Sequence, residues 1–345
     1  MGTITNNLTA TQFLERAFSV PVVDVRAPKE FLQGHMPGAV SIPLFDDEER
    51  AEVGINYKRM GRKTALMKGL EIAGPKLSAF VKQVNKIAVE NEILVHCWRG
   101  GMRSEAMAWL FRFSGIKTSV LEGGYKAYRR FIRESFKSGP PIIILGGMTG
   151  SGKTEILHHL SVLGEQVLDL EGVANHRGSA FGALGQTDQP TNEQFENNLA
   201  EQWLSLDPSK PVWLEDECHS IGKVFIPEPL YNRMASSPLV FIEVPVNIRA
   251  KRIALEYGEF DTSTLEDLII KISRRLGNER SGKAISHLKQ GDVFAAILII
   301  LEYYDKAYLF DISKKNGNNI TRIKLESTSM EEIASEIIST SSTRL

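Results

Sequence analysis

The stretch IIILGGMTGSGKTEILHHL, residues 142–160, runs from an aliphatic segment through a glycine-rich loop into an apolar pattern with helical spacing. Its loop, Gly147 to Thr154, fits the spacing G-x-x-x-x-G-K-[ST] of a phosphate-binding loop, which requires a strand before it and a helix after it. Glycines let backbone N–H groups converge on phosphate oxygens, and the helix N-terminus adds partial positive charge. The stretch therefore predicts a phosphate site in an α/β domain with a parallel sheet.

Side chains of this loop supply part of the predicted chemistry. Lys153 is expected to place its charge on the terminal phosphate, and Thr154 offers a ligand to Mg²⁺. The full predicted phosphate-binding set is Gly147, Thr149, Gly150, Ser151, Gly152, Lys153 and Thr154.

Two further segments are expected to contribute to the same site. The acidic strand end VWLEDE, residues 212–217, offers candidates for a metal ligand or a base, which are Glu215, Asp216 and Glu217. The predicted strand QVLDLEG, residues 166–172, is followed by candidates for substrate contact, which are His176, Arg177 and Ser179. The sequence does not identify the phosphate ester or single out one of the three acidic residues.

A second loop, LVHCWRGGMRS at residues 94–104, carries one of the two cysteines of the chain. Cys97 and Arg103 have the spacing C-x5-R, after a predicted buried strand and before a predicted helix. Backbone N–H groups, the helix dipole and the charges of Arg99 and Arg103 favour the thiolate of Cys97 at neutral pH, so these three residues form the predicted catalytic group. The spacing alone favours a phosphatase that forms a phosphocysteine, and the alternative is chalcogen transfer through a persulfide.

The surroundings of the cysteine loop favour the second chemistry. The segment VVDVRAPKEFLQGHMPGAVSIPL, residues 22–44, resembles the N-terminal motif of rhodaneses, and LEGGYKAY, residues 121–128, resembles the segment after their active-site helix. The expected architecture is α/β throughout, with three parts. These are a rhodanese-like domain over residues 1–124, a basic helical linker over 125–139, and a P-loop domain with a parallel sheet and a helical C-terminal region over 140–345.

Basic residues recur at intervals of three and four along the linker, which places them on one face of a helix. Such a face is covered either by solvent or by the phosphate backbone of a nucleic acid. The candidates for contact with a nucleic acid, including one aromatic ring able to stack on a base, are Trp98, Lys126, Arg129, Arg130, Arg133, Arg249, Arg252, Arg274 and Arg275.

Composition excludes several classes of protein. The 345 residues carry a net charge of −1, so any nucleic acid must be held by local basic patches. Two cysteines without metal-ligand spacing argue against a disulfide scaffold or a zinc site. The N-terminal segment lacks the pattern of a secretory signal, and the longest apolar runs are too short to span a bilayer. We therefore expect a cytoplasmic protein without membrane contact.

The order of these motifs resembles the bacterial tRNA 2-selenouridine synthases over essentially the whole chain. The likeness includes NHRGSAFGALG at residues 175–185 and GDVFAAILIILEYYDKAY at residues 291–308. The resemblance implies that wobble 2-thiouridine in tRNA is S-geranylated from geranyl diphosphate and then receives selenium from selenophosphate. Cys97 would act in the selenium step, either as carrier of a perselenide or as nucleophile at C2 of the uridine.

The resemblance also implies a set of partners. Selenophosphate and geranyl diphosphate would be co-substrates, Mg²⁺ is a candidate ion, and no prosthetic group is expected. The anticodon region of tRNA is the expected partner, and an enzyme that supplies selenophosphate is a candidate second partner.

Two alternative functions stay open from the residues alone. A phosphatase-like domain fused to a small-molecule kinase would turn over a phosphocysteine at Cys97 without RNA. A P-loop switch with a non-catalytic rhodanese-like binding domain would depend on Lys153 and not on Cys97.

Overall fold

The computed structural model describes residues 7–178, 182, 184–258, 260–313, 320–325 and 329–342. Contacts divide the chain into two compact units. Unit 1 comprises Met1–Ser135 and Thr191–Glu201, and unit 2 comprises Phe136–Pro190 and Gln202–Leu345. A segment from the second half of the sequence therefore belongs to the first unit.

Unit 1 is built on a parallel sheet of five described strands in the order β1-β5-β4-β2-β3. The strands are β1 Asn7–Leu8, β2 Val22–Asp24, β3 Val40–Ser41, β4 Glu92–His96 and β5 Lys117–Leu121. The helices are α1 Ala10–Ala17, α2 Pro28–Gln33, α3 Asp47–Met60, α4 Arg62–Ala73, α5 Leu77–Asn85, α6 Met102–Phe113 and α7 Gly124–Ser135, with a short 3₁₀ turn at Gly74–Lys76.

The central strands of unit 1 are apolar because helices cover them. In β4, the side chains of Ile93, Leu94 and Val95 have no measurable exposure, as expected for a parallel strand covered on both faces. Helix α6 packs Met107 and Phe111 into the same core. Helix α6 ends at Phe113, and Gly115 follows it with φ +92°, a conformation that favours glycine after a helix. This packing fixes the loop between β4 and α6, which contains Cys97.

Unit 2 has a second parallel sheet, in the order β12-β11-β6-β8-β7. Its strands are β6 Ile142–Gly147, β7 Gln166–Val167, β8 Val212–Glu215, β11 Leu239–Glu243 and β12 Ile320–Lys324, and a separate antiparallel pair is formed by β9 Ser220–Ile221 and β10 Val224–Phe225. The helices are α8 Lys153–Val162, α9 Leu170–Ala174, α10 Asn192–Ser205, which begins in unit 1, α11 Glu228–Ser236, α12 Val246–Tyr257, α13 Thr262–Leu276, α14 Asn278–Lys289, α15 Val293–Ser313 and α16 Met330–Ser342.

The predicted fold class, two α/β units with parallel sheets, is confirmed, and one local prediction holds only in part. The segment QVLDLEG forms only a two-residue strand, because Asp169 caps a new helix by accepting from the N–H of Gly172 at 2.8 Å. The C-terminal region is mostly helical as expected, but Ile320–Lys324 interrupts it as an edge strand beside β11.

Candidate functional site

The phosphate-binding loop of unit 2 joins the end of β6 to the start of α8. Gly150 and Gly152 have φ values of +79° and +85°, a conformation that favours glycine. A Cβ on Gly150 would also lie 2.6 Å from a methyl carbon of Ile253. The backbone of this loop therefore requires the glycines that the sequence motif contains.

Lys153 is a charged group among carboxylates. Its Nζ donates to the carbonyl of Gly147 at 3.2 Å. Burial alone would lower the pKa of Lys153, but nearby carboxyl groups, led by those of Glu215 and Glu217, raise it above its ordinary value. The ammonium group is thus kept charged at the mouth of the loop, where it can bind an anionic phosphate.

Three glutamates cluster beside this lysine: Glu171, Glu215 and Glu217, each with a carboxylate oxygen within 4.8 Å of the others. Thr154 Oγ1 donates to Glu215 Oε1 at 2.8 Å and lies 3.3 Å from Glu171 Oε2. Burial, together with the neighbouring carboxyl groups, raises the pKa of Glu171 to about 9, and burial raises the pKa of Glu217 to about 7. Close, partly desolvated carboxylates with a threonine hydroxyl fit the oxygen-ligand chemistry of Mg²⁺.

The burial of Glu215 is a second observation that fits a bound cation. Its side chain is 1% exposed, and its Oε2 has no hydrogen-bond partner among the described residues. A buried carboxylate oxygen without a partner is costly, and coordination of a cation removes that cost.

Of the three acidic candidates from the sequence, Glu215 and Glu217 belong to this cluster and Asp216 does not, while Glu171 joins it from α9. The carboxylate of Asp216 accepts from Tyr308 Oη at 2.9 Å, and that phenol oxygen also accepts from the N–H of Gly147 at 3.1 Å. Tyr308 on α15 therefore connects Asp216 to the first residue of the phosphate-binding loop. Sequence reasoning missed Glu171 because it was placed inside a predicted strand, whereas helix α9 turns it towards the cluster.

A cavity of about 2020 Å³ opens from the phosphate-binding loop. The loop and the three glutamates line one part of it. Apolar side chains from α12 to α15 line another part, and these include Ile253, Leu265, Ile269, Ile297, Ile300 and Leu301. Small-molecule sites are typically about 300–1,000 Å³, so this cavity has room for more than one small ligand.

The predicted substrate-contact residues lie at this cavity where they are described. His176 and Arg177 both line it. Burial lowers the pKa of His176, so the imidazole is neutral at physiological pH. The guanidinium of Arg177 pairs with Glu256. Ser179 lies outside the described residues.

The cysteine loop of unit 1 connects β4 to α6. Cys97 is 3% exposed, with Sγ 3.2 Å from Ser104 Oγ and 4.0 Å from the carbonyl oxygen of Gly101. The segment that begins α7 holds the loop from behind, because the N–H of Tyr125 donates to the Cys97 carbonyl at 2.8 Å. The N–H of Lys126 likewise donates to the carbonyl of Trp98 at 3.0 Å.

Charged groups of the rhodanese-like motif support this loop. Arg26 and Asp24 form a fully buried ion pair at 2.6 Å, and the Arg26 guanidinium lies 3.7 Å from the ring centroid of Tyr125. Arg103 Nη1 donates to Glu30 Oε2 at 2.7 Å. These ion pairs of the rhodanese-like motif hold the cysteine loop in place. Arg99, on the same loop, is exposed to solvent.

The candidates for nucleic-acid contact fall into three groups. Arg129 is buried in an ion pair with Glu196, and Arg249 is buried in an ion pair with Asp305 at 2.6 Å while also donating to the carbonyl of Thr149. Arg252 and Arg275 line the cavity. The remaining candidates are at least partly exposed on the surface of their unit: Trp98, Lys126, Arg130, Arg133 and Arg274.

None of the helices in the described part of the chain is long and apolar enough to cross a membrane.

Comparison with known proteins matches residues 140–335 to the family described as tRNA 2-selenouridine synthase AAA domain, and residues 9–131 to the rhodanese-like domain. The chain is 32% identical to the tRNA 2-selenouridine synthase of Aeromonas salmonicida, across 92% of this chain and 94% of the relative. It is 36% identical to the Pseudomonas fluorescens protein of the same name, across 86% and 89%. A solved N-terminal domain of a putative ATP/GTP binding protein from Clostridium difficile is 35% identical over 36% of this chain and 97% of its own, with a TM-score of 0.34.

Proposed function

Because the chain belongs to the tRNA 2-selenouridine synthase family, we propose that it converts wobble 2-thiouridine of tRNA into 2-selenouridine in two steps. The thiocarbonyl sulfur first attacks C1 of geranyl diphosphate, forming a C–S bond and releasing diphosphate. The selenium of selenophosphate then forms a bond to C2 of the base while the S-geranyl group leaves as geranyl thiol, and hydrolysis of the Se–P bond releases phosphate and leaves 2-selenouridine. The first step is needed because an alkyl thiolate leaves C2 of the base more readily than a doubly bonded thiocarbonyl sulfur does.

The observation that carries the first step is the continuity of the cavity in unit 2. One cavity contains both a phosphate-binding loop and an aliphatic lining, and geranyl diphosphate has the same two parts. Its lining includes one face of α15 from Ile297 to Tyr308, which spans about 16 Å of helix rise. An extended geranyl chain fits within that length.

In this step the residues of the loop bind and polarise the donor. Backbone N–H groups of the loop and the Lys153 ammonium would hold the diphosphate and stabilise the charge that develops as it leaves. Thr154, Glu171, Glu215 and Glu217 would hold Mg²⁺. The ion would supply charge neutralisation to the leaving diphosphate.

The second step is assigned to the cysteine loop of unit 1. Cys97 would act as nucleophile on C2 of the modified uridine. Its thiolate would displace geranyl thiolate, the selenium of selenophosphate would then displace the Cys97 thiolate, and water would cleave the Se–P bond to release phosphate. Its Sγ lies against the Ser104 hydroxyl at 3.2 Å, and Arg99 supplies an exposed positive charge on the same loop. Selenophosphate is an anion, so a loop with backbone donors and an arginine suits its binding.

Mass spectrometry of the wobble nucleoside tests this function. Protein is incubated with thiolated tRNA and Mg²⁺, first with geranyl diphosphate alone and then with selenophosphate added. We expect S-geranyl-2-thiouridine in the first incubation and 2-selenouridine in the second. Thiouridine left unmodified with both donors present would overturn the proposal.

A further inference from the structure

A helical hairpin in unit 1 carries a concentrated positive charge at its turn. Helices α3 and α4 meet at Gly61, which has φ +85°. Lys58 and Arg59 precede this glycine, and Arg62 and Lys63 follow it. From Val53 to Leu70 the sequence contains no aspartate or glutamate. We call residues 57–63 the basic tip.

The four cations of the basic tip face solvent. All four basic side chains are exposed, and none of them forms an ion pair within the described part of the chain. Tyr57 and Met60 on the same tip are 54% and 69% exposed. Helix α3, all of which is described, has no buried residue. Val53 of α3 packs against the core, but this packing does not account for the four exposed cations of the tip.

The position of the tip relates it to the cysteine loop. Arg62 Nη2 lies 3.9 Å from Sδ of Met102. Met102 is the first residue of α6 and directly follows the loop that contains Cys97 and Arg99. The basic tip thus adjoins the loop that is assigned to the selenium step.

The basic face of α7 is a weaker candidate for binding a polyanion than the tip. Arg129 is buried against Glu196, and Arg133 donates to the same carboxylate at 2.9 Å. Two of the basic residues that the sequence placed on this face are therefore already paired with one acidic side chain. The four cations of the tip have no acidic partner among the residues that the structure describes.

We propose that the basic tip binds the phosphodiester backbone of the tRNA next to the uridine on which Cys97 acts. This inference rests on the proposed function, because tRNA is taken from it as the substrate. Four cations around one turn match the repeated charges of a nucleic-acid backbone, and the exposed ring of Tyr57 offers a surface on which a loop base can stack. The contact would be with phosphates, so it would add affinity without selecting a sequence.

The test compares two double variants of the full chain. Arg62→Gln with Lys63→Gln removes two charges from the tip. Lys82→Gln with Lys86→Gln removes two exposed charges at the C-terminal end of α5 in the same unit, where Lys86 directly follows the last residue of the helix. Dissociation constants for fluorescent thiolated tRNA are measured by anisotropy over a series of salt concentrations.

We expect the tip variant to bind tRNA roughly tenfold more weakly. The slope of the logarithm of the binding constant against the logarithm of the salt concentration should be smaller in magnitude by about 1 to 2, because each lost phosphate contact lowers that slope by almost one. The α5 variant should match the parent protein. Selenation by the α5 variant should also match the parent protein, whereas the tip variant should need more tRNA to reach half of its maximal rate. The charge-preserving variant Arg62→Lys with Lys63→Arg should restore the slope, and Lys58→Gln with Arg59→Gln gives a second measurement from the other side of Gly61.

Each other outcome has a defined meaning. If the tip and α5 variants bind tRNA equally while the parent protein modifies tRNA, the tip proposal is wrong and the proposed function stands. If the parent protein does not bind tRNA, the proposed function itself fails. If the tip variant instead loses binding to vesicles of anionic lipid and keeps its tRNA affinity, the partner of this surface is a membrane, and the proposal is overturned.

Discussion

The two loops of this protein share a backbone design and differ in the charges around it. Each follows the carboxyl end of a central parallel strand and precedes a helix, and each contains a glycine with positive φ, Gly100 in one and Gly152 in the other. Carboxylates surround Lys153 in unit 2. Around Cys97 the loop itself carries arginines, and the carboxylate of Glu30 is paired with one of them, Arg103.

This difference in charge separates the chemistry of the two loops. An acidic cluster beside a phosphate-binding loop must be balanced by cations before a diphosphate can bind there, and a divalent ion does this. The cysteine loop has no such cluster among the described residues, so its anion can be held by backbone N–H groups and arginine alone. The two steps should therefore respond differently to substitution and to metal removal.

The largest effect is expected for Cys97→Ser. The serine hydroxyl is a far weaker nucleophile than a thiolate, so selenation should fall by roughly 10³-fold or more. Geranylation should stay within about twofold of the parent rate, because the cysteine contributes no contact to the donor. Both products are quantified by mass spectrometry, and Cys218→Ser, in the other cysteine, is the control. Selenation at the parent rate in the Cys97 variant would remove that residue from the mechanism.

A second substitution should give the reverse pattern. Lys153→Ala removes the ammonium that stabilises the leaving diphosphate, and geranylation should decrease by roughly 10²- to 10³-fold. Selenation of tRNA that is already geranylated should change by less, because this step is assigned to the other unit. Single-turnover rates of each step, measured with each isolated intermediate, make the comparison. Equal losses in both steps would contradict the division of labour between the loops.

The acidic cluster gives a smaller and more specific effect. Glu171→Gln keeps the shape of the side chain and removes one ligand charge, so the Mg²⁺ concentration for half-maximal geranylation should rise about tenfold. Asp216→Asn is the matched control, because this carboxylate bonds to Tyr308 and lies outside the glutamate cluster. Chelation by EDTA should stop geranylation and leave selenation of the geranylated tRNA intact. A similar shift in the Asp216 variant would show that general electrostatics, and not coordination, is being measured.

Much of the fold was predictable because local signals and tertiary packing agree. Glycine spacing identifies the loop after β6, and the apolar runs before both loops form buried strands, as at Ile142–Gly147 and Glu92–His96. The sequence fails where tertiary contacts decide the structure. The strand Ile320–Lys324 is an edge strand whose formation depends on pairing with β11, far away in sequence.

The site was partly predictable for the same reason. Lys153 and Cys97 have fixed spacings to their loops, whereas Glu171 joins the acidic cluster only because a helix begins at Leu170. The engagement of Arg129 by Glu196 spans 67 positions, and no periodicity in the sequence reports it. Which residues bind the donor, the metal ion or the tRNA stays a prediction, and the substitutions at Lys153, Glu171 and the basic tip test it.

The smallest effect is expected for a substitution at Gly124, in the segment after β5 that contacts the cysteine loop. Gly124 has φ +59°, and a Cβ there would overlap the carbonyl oxygen of Cys97 and the backbone nitrogen of Gly100. Gly115, also in unit 1, has φ +92° with no atom near the position of a Cβ. Both alanine variants incur backbone strain of about 1 kcal/mol, but only Gly124→Ala also adds a steric clash with rigid backbone.

We therefore expect Gly124→Ala to lower the free energy of unfolding of unit 1 by at least about 1 kcal/mol more than Gly115→Ala. Urea titration followed by tryptophan fluorescence measures the difference, since Trp98 and Trp109 lie in this unit. Because the clash falls on the loop itself, Gly124→Ala should also slow selenation while geranylation is spared, and Gly115→Ala should slow neither step. Equal stability of the two variants would show that the cysteine loop can move away from α7. The hydrogen bond from Tyr125 to the carbonyl of Cys97 would then not be needed to hold the sulfur in position.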